Sequence, residues 1–266
     1  MESGRTDSAD DGRIEDFSPI KVPFIHECAR EYLTNHSVLT IIDKGMNVEL
    51  SEGEEEMKWM IASDIHGSAF YCEKMLKAFK REQADKLLLL GDILYHGPRN
   101  DLPKGYAPKK VIELLNNIKE KILCVRGNCD AEVDQMVLEF PIMADYAMIT
   151  EGDLNIFVTH GHHFNEKKLP PMFEKTQEGS SNKEGSNNKE NHNILLHGHT
   201  HVPVCRVHES YTYMNPGSVS IPKENSEHSY MILENGAFWW KTLDGETYLN
   251  FKGSKPERGY CREEYR

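Results

Sequence analysis

A chain of 266 residues with 38% hydrophobic content can bury one substantial core, and its length admits one or two domains, of which a single core is the simpler reading. The net charge of −12 is uneven: residues 1–56 hold 5 Lys/Arg against 14 Asp/Glu, a net of −9, whereas the remainder holds 26 against 29, a net of −3. A body so nearly balanced lacks the basic surplus of a protein held to nucleic acid by counterion release, so no stable nucleic-acid partner is expected, while a short polyanionic substrate stays open because bound metals can reverse the local sign.

Residues 1–56 read as an acidic, partly disordered N-terminal extension: 1–20 are polar, and Ser51-Glu52-Gly53-Glu54-Glu55-Glu56 is a charged break. Between them, Phe24 to Leu50 is apolar enough for a short helix and a strand such as Val38 to Ile42, but not for a core of its own. From Met57 the pattern becomes regular. Lys58 to Ser63 is a short apolar strand, Ala69 to Glu82 has helical spacing through Met75, Leu76 and Phe79, and Lys86 to Leu90 is a buried strand. Lys109 to Lys119 repeats the helix and Lys121 to Val125 the strand. Such a βαβαβ series demands right-handed crossovers, a largely parallel sheet, and ligands beyond the carboxyl ends of its strands.

The second half is richer in strands, expected at Ala147 to Thr150, Asn155 to Thr159, Ile194 to Leu196, Tyr211 to Met214, Ser229 to Leu233 and Ala237 to Lys241, with Asn235-Gly236 as a hairpin turn. Residues 174–193, rich in Glu, Lys, Asn, Gly and Ser, read as a disordered insertion, and 251–266 as a flexible tail. The folded domain is therefore expected at 57–250. The cysteines at 28, 72, 124, 129, 205 and 261 form no CxxC pair, which suits a reducing compartment. With no signal-like start and no apolar run of roughly 18–20 residues, the expectation is a soluble, cytoplasmic chain without a membrane partner.

The chemistry lies at the strand ends. Asp64-Ile65-His66, Gly91-Asp92 and Gly127-Asn128 each follow an apolar run, and so do His160-Gly161-His162 and His197-Gly198-His199-Thr200-His201. Hard oxygen donors mixed with imidazoles suit a pair of divalent ions, whereas a structural zinc site would show clustered cysteines or a compact Cys/His pattern. Any one segment alone has a plainer reading: an aspartate as a strand-end cap, a histidine as a hydrogen-bonded structural residue. Five such segments in this order do not.

Together these motifs, with Asp130, Asn215-Pro216-Gly217-Ser218 and the Leu94 to Asn100 loop, resemble the ordered signature of the calcineurin-like metallophosphoesterases, closest to the small single-domain bacterial phosphodiesterases and related to the small scaffold subunit of retromer. The resemblance spans about Met57 to Leu249. It implies an α/β fold, a four-layer α/β/β/α sandwich with two mixed β-sheets. It also implies that Asp64, His66 and His201 hold one metal, that Asn128, His160 and His199 hold the other, and that Asp92 bridges them, the two ions being manganese with iron and zinc as alternatives. The implied activity is hydrolysis of a small phosphodiester by a metal-bound hydroxide, with Asp92, Asn128 and Cys129 at the reacting centre. A catalytically silent scaffold and a phosphomonoesterase are the competing readings, and homo-oligomerisation follows from the bacterial likeness alone.

Cys129 departs from many superfamily members, which carry a histidine after the ligand asparagine. A thiol of ordinary pKa, about 8.5, can give up a proton but bears no positive charge at neutral pH, so good leaving groups are expected to be favoured; a small buried structural cysteine is the alternative. His96, Arg99, His162 and His163 lie beside motifs and either contact substrate or serve their loops. Asn215 to Ser218 reads as a turn that supports the site.

Overall fold

The computed structural model describes residues 57–173 and 192–252. The expected helix and strand within 24–50, most of the insertion and the tail beyond residue 252 lie outside the described residues.

Among the described residues eleven strands form two mixed sheets. In the first, β1 (Trp59–Ala62), β2 (Lys86–Leu89) and β3 (Ile122–Cys124) run parallel, while β9 (Ser229–Glu234), β10 (Ala237–Thr242) and β11 (Thr247–Lys252) extend it antiparallel from β1. The second is ordered β4 (Tyr146–Glu151), β5 (Leu154–Thr159), β6 (His192–His197), β8 (Thr212–Pro216), β7 (Pro203–Val207), with β5, β6 and β8 parallel and the two outer strands antiparallel.

Alternation along the strands builds the layers. Trp59 and Ile61, Leu88 and Leu90, and Met231 and Leu233 face the second sheet, where they meet Ile156, Val158, Ile194, Leu196 and Met214. The intervening Met60, Ala62, Leu87, Leu89, Tyr230 and Ile232 face the helices. Both faces are buried, which is why these strands read as continuous apolar runs. Each fully buried Leu or Ile contributes about 1.5–3 kcal/mol relative to exposure.

Helix α1 (Ala69–Glu82) starts on Ser68, whose hydroxyl accepts the Tyr71 N–H, and stops at Gln83 in the left-handed conformation. It buries Cys72, Met75 and Phe79, one stripe at i, i+3, i+7. Helix α2 (Pro108–Asn116) opens with proline, whose missing N–H costs nothing there, and buries Val111 and Leu115. A single-turn helix, α3 (Glu132–Gln135), follows β3. On the outer face of the second sheet, Phe157, Leu195, Tyr211 and Tyr213 are covered by the 161–173 loop through Phe164, Leu169 and Phe173; among the described residues this layer has one 3₁₀ turn, Pro171–Phe173, in place of a full helix.

Several boundaries differ from the sequence reading. β6 begins at His192, inside the expected insertion, because Asn193 pairs with Asn155 on β5 and needs no apolar side chain to do so. β11 runs to Lys252, two residues past the expected domain end at 250. β7 and β11 were not expected; both are edge strands, half-wetted and therefore weakly patterned, and β7 opens on a proline, which an edge tolerates. The Asn235-Gly236 turn joins β9 to β10 with both residues at positive φ, 52° and 66°, as a tight hairpin of this kind requires.

Candidate metal centre

The parallel strands of both sheets deliver their carboxyl ends to one place. Asp64 and His66 follow β1, Asp92 follows β2, Asn128 follows β3, His160 follows β5, and His199 and His201 follow β6. Five of these residues, Asp64, His66, Asp92, His199 and His201, hold left-handed backbone, φ between 48° and 66°. Non-glycine residues bear such geometry at a cost of about 1–3 kcal/mol each, and it collects where function fixes a side chain.

Close backbone packing holds the strained turns. Asp64 and His66 donate their N–H groups to the carbonyls of Gly91 and Asp92, at 3.2 and 2.9 Å. Gly127 lies against Asp92 so tightly that a Cβ there would collide with the carboxylate. The Asp64 carbonyl accepts the hydroxyls of Ser218 and Ser220, each at 3.0 Å. Asn215 donates through Nδ2 to the Gly198 carbonyl at 2.8 Å and the Thr200 hydroxyl at 3.0 Å, while its own carbonyl accepts the Trp240 indole N–H at 2.7 Å. Asn215 and Pro216 are thus the end of β8 rather than the expected turn, and Asn215 and Ser218 hold the backbone of the site segments.

The side chains converge on a polar centre in which Asp64, His66, Asp92, His160 and His201 are buried, while His199 is half-buried and Asn128 exposed. Asp64 Oδ1 lies 3.2 Å from His201 Nε2 and 3.5 Å from His66 Nε2, and the two Nε2 atoms are 3.3 Å apart. On the other side His160 Nε2 stands 3.0 Å from Asn128 Oδ1 and 3.1 Å from His199 Nδ1. Asp92 joins the halves: its Oδ2 is 3.6 Å from His66 Nε2 and 3.4 Å from His160 Nε2, while its Oδ1 accepts the Cys129 backbone N–H at 2.7 Å.

Second partners fix the tautomers. The Nδ1–H of His66 donates to the Tyr95 carbonyl at 2.7 Å, that of His160 to Leu90 at 2.7 Å and that of His201 to Ile221 at 2.8 Å. A carbonyl can only accept, so each neutral ring points an Nε2 lone pair inward, the arrangement that outer partners impose on metal-binding histidines. Without a proton or a cation on those nitrogens, acceptor faces acceptor at close range around the buried Asp64 Oδ1. Such a donor set fits cations and little else.

The electrostatics agree. Burial opposes ionisation of Asp64, yet His201 and His66 hold its carboxyl well below the usual range; Asp92 is lowered in the same way, chiefly by His160 working against burial. Burial pulls His160 down, but Asp92 and Asp64 outweigh it and raise the imidazole to about 9. Without a metal, protons supply part of the positive charge that the carboxylates demand.

Cys129 lies within ligand distance of His66 and Asp92, but burial and then the neighbouring carboxylate of Asp92 push its thiol up. The sequence expectation of an ordinary thiol pKa is therefore corrected: the group is a weaker acid than its type. Its sulfur accepts the Asn128 Nδ2–H at 3.2 Å, turning the Asn128 oxygen toward His160. Of the flanking residues, His162 stands 5.4 Å from His160, ring to ring, held neutral to about 4 by burial and by the His160 charge. Buried His197 points away from the inward cluster and stacks on Tyr213 at 4.5 Å. Arg99 is exposed in the loop after β2. The carbonyls of Tyr95, Leu90 and Ile221 carry no side-chain signal, and sequence reasoning could not have found them.

The profile of the calcineurin-like phosphoesterase superfamily domain matches residues 57–236. The chain belongs to this superfamily. Phosphodiesterase YfcE of Escherichia coli K12 is 45% identical over 179 residues, covering 67% of this chain and 88% of YfcE. The probable metallophosphoesterase YsnB of Bacillus subtilis is 27% identical over 184 residues, covering 68% and 87%. The solved structure of YfcE, a phosphoesterase, superimposes with a TM-score of 0.64 at 42% identity and covers 74% of this chain and 99% of that one. In the calcineurin-like frame the Asp64, His66, Asp92 and His160 cluster is a candidate divalent-metal site. Among the described residues no helix is long and apolar enough to cross a membrane.

Proposed function

We propose that this chain is a two-metal phosphodiesterase in which Asp64, His66 and His201 hold one divalent ion, Asn128, His160 and His199 hold the other, and Asp92 Oδ2 is shared. The observation that carries the reading is the position of Asp92 Oδ2, within 3.6 Å of one histidine from each set. Bound there, two cations supply charge for the phosphate oxygens and acidify water.

The protein's own residues do the rest. Backbone carbonyls hold one proton on Nδ1 of His66, His160 and His201 and so aim each Nε2 inward, the Cys129 N–H leaves Asp92 Oδ2 for sharing, and the strained turns fix the spacing before substrate arrives, which removes an orientation cost from the reaction. Carboxylate, amide and imidazole donors suit manganese, iron or zinc, and manganese is the reading adopted. Cys129 is left out of the ligand set because seven oxygen and imidazole donors already serve the two positions. With so weak an acid beside the centre, diesters of good leaving groups are the favoured substrates. The choice of diester over monoester rests on the likeness to YfcE, which is named a phosphodiesterase.

The test is a pair of assays on chelator-stripped, manganese-reloaded protein: hydrolysis of an activated aryl phosphodiester and of the matching monoester. Metal-stimulated diester hydrolysis, lost in Asp92→Asn, is expected. Wild-type turnover in that variant would sink the reading, dominant monoester turnover would make the enzyme a monoesterase, and absent metal with no activity would favour the scaffold.

A further inference from the structure

Asp130 is buried, and its carboxylate is gripped by backbone N–H groups. Its Oδ2 accepts the N–H of Asp92 at 2.8 Å and of Gly127 at 2.7 Å, and its Oδ1 accepts the N–H of Ile93 at 2.8 Å. One side chain therefore closes its own turn after β3 and, 37 and 38 residues away in sequence, grips two consecutive amides of the turn after β2. The gripped turn is the strained one, with Asp92 at φ 56°.

The consequence for the centre is geometric. Asp130 fixes the Gly127 to Asp130 turn against the Asp92 backbone, and that places the Cys129 N–H 2.7 Å from Asp92 Oδ1. With Oδ1 so held, Oδ2 is the oxygen presented between His66 and His160. Hydrogen bonds to a carboxylate are stronger than those between neutral groups, and they work against the strain of one left-handed residue. Three of them can hold the turn in place.

We propose that Asp130 is a positioning residue that sets the shared oxygen of Asp92 between the two metal positions, and so governs the affinity and mutual coupling of the ions without touching either. This rests on the two-metal reading above. Asp130→Asn keeps the size but turns an amide N–H₂ toward a backbone N–H, so that at least one grip becomes a repulsion.

The experiment titrates the chelator-stripped full chain with Mn²⁺, read by calorimetry and by electron paramagnetic resonance, which distinguishes isolated ions from an exchange-coupled pair. Wild type should bind two ions and show the coupled signal. Asp130→Asn should lose about 10- to 100-fold in Mn²⁺ affinity, as outer-partner substitutions do. It should also lose most of the coupled signal and lower kcat on the aryl diester with KM within about twofold, the pattern of a misplaced reacting centre rather than weakened substrate binding. Wild-type affinity and coupling in a cooperatively melting Asp130→Asn would overturn the inference. Should that variant fail to fold, Asp130→Glu, which keeps the charge and displaces the acceptors by one methylene, takes its place with the same two outcomes. Failure of the wild type itself to bind a pair would instead overturn the two-metal reading.

Discussion

His66 and His201, 135 residues apart in the chain, face each other Nε2 to Nε2 at 3.3 Å, each turned there by a backbone carbonyl on its other nitrogen. Two lone pairs at that distance repel unless positive charge lies between or beside them. The pair therefore anchors one of the two proposed metal positions, with Asp64 Oδ1 as its third corner. His201→Gln should reduce bound Mn²⁺ from two ions to one per chain and lower diester hydrolysis by roughly 100-fold or more, since clamping phosphate takes both ions. Metal analysis of the purified variant beside its rate checks this; two ions retained would contradict it.

Metal affinity should rise with pH. His160, raised to about 9, carries a competing proton below that pH, and binding must displace it. For the metal-free fold the sign is opposite: a histidine whose folded pKa exceeds its unfolded value near 6.5 contributes stability that is complete below about 6.5 and is lost as pH rises through about 9. Calorimetry from about pH 6 to about 9, in buffers of differing ionisation enthalpy, should show proton release that shrinks toward the upper end. A pH-independent affinity would remove His160 from the metal set.

Cys129→Ser should keep the aryl diester rate within about tenfold of wild type, because a thiol pushed up by burial and by Asp92 is a poor acid and an aryloxide leaves without a proton. General acids contribute about 10²–10⁴-fold where a proton is needed. A loss of that size on the activated substrate, with the basic limb of the pH profile displaced, would make the thiol a proton donor after all.

Trp240 is fully buried, and its indole N–H is bonded to the Asn215 carbonyl at 2.7 Å. Trp240→Phe keeps most of the apolar area but strands that carbonyl, so the fold should lose about 1–3 kcal/mol, a Tm drop of about 2–4 °C per kcal/mol. Because Asn215 also holds Gly198 and Thr200, Mn²⁺ affinity should fall with it. Thermal melts of metal-free and reloaded protein separate the two effects.

By itself the sequence determined the alternating helices and strands from Met57 onward and the ordered set of candidate donors at their ends. Apolar runs of strand length are visible when both faces are buried, and Asp, Asn and His at strand ends carry their chemistry in their identity. Helix α1, Ala69–Glu82, coincides with its expected span because capping and periodicity are both local. The edge strands β7 and β11 and the single turn α3 escaped, since half-wetted segments of a few residues lack a distinguishing period.

Tertiary structure alone decided how the donors meet. The left-handed backbone of five candidate ligand residues, the three carbonyls that fix the imidazole tautomers and the grip of Asp130 on Asp92 all depend on backbone groups, which every residue type shares. No letter of the sequence announces them. It also changed the reading of Cys129: an ordinary thiol by type, it becomes a reluctant acid because folding takes it out of water and sets it among the carboxylates of Asp92, Asp130 and Asp64.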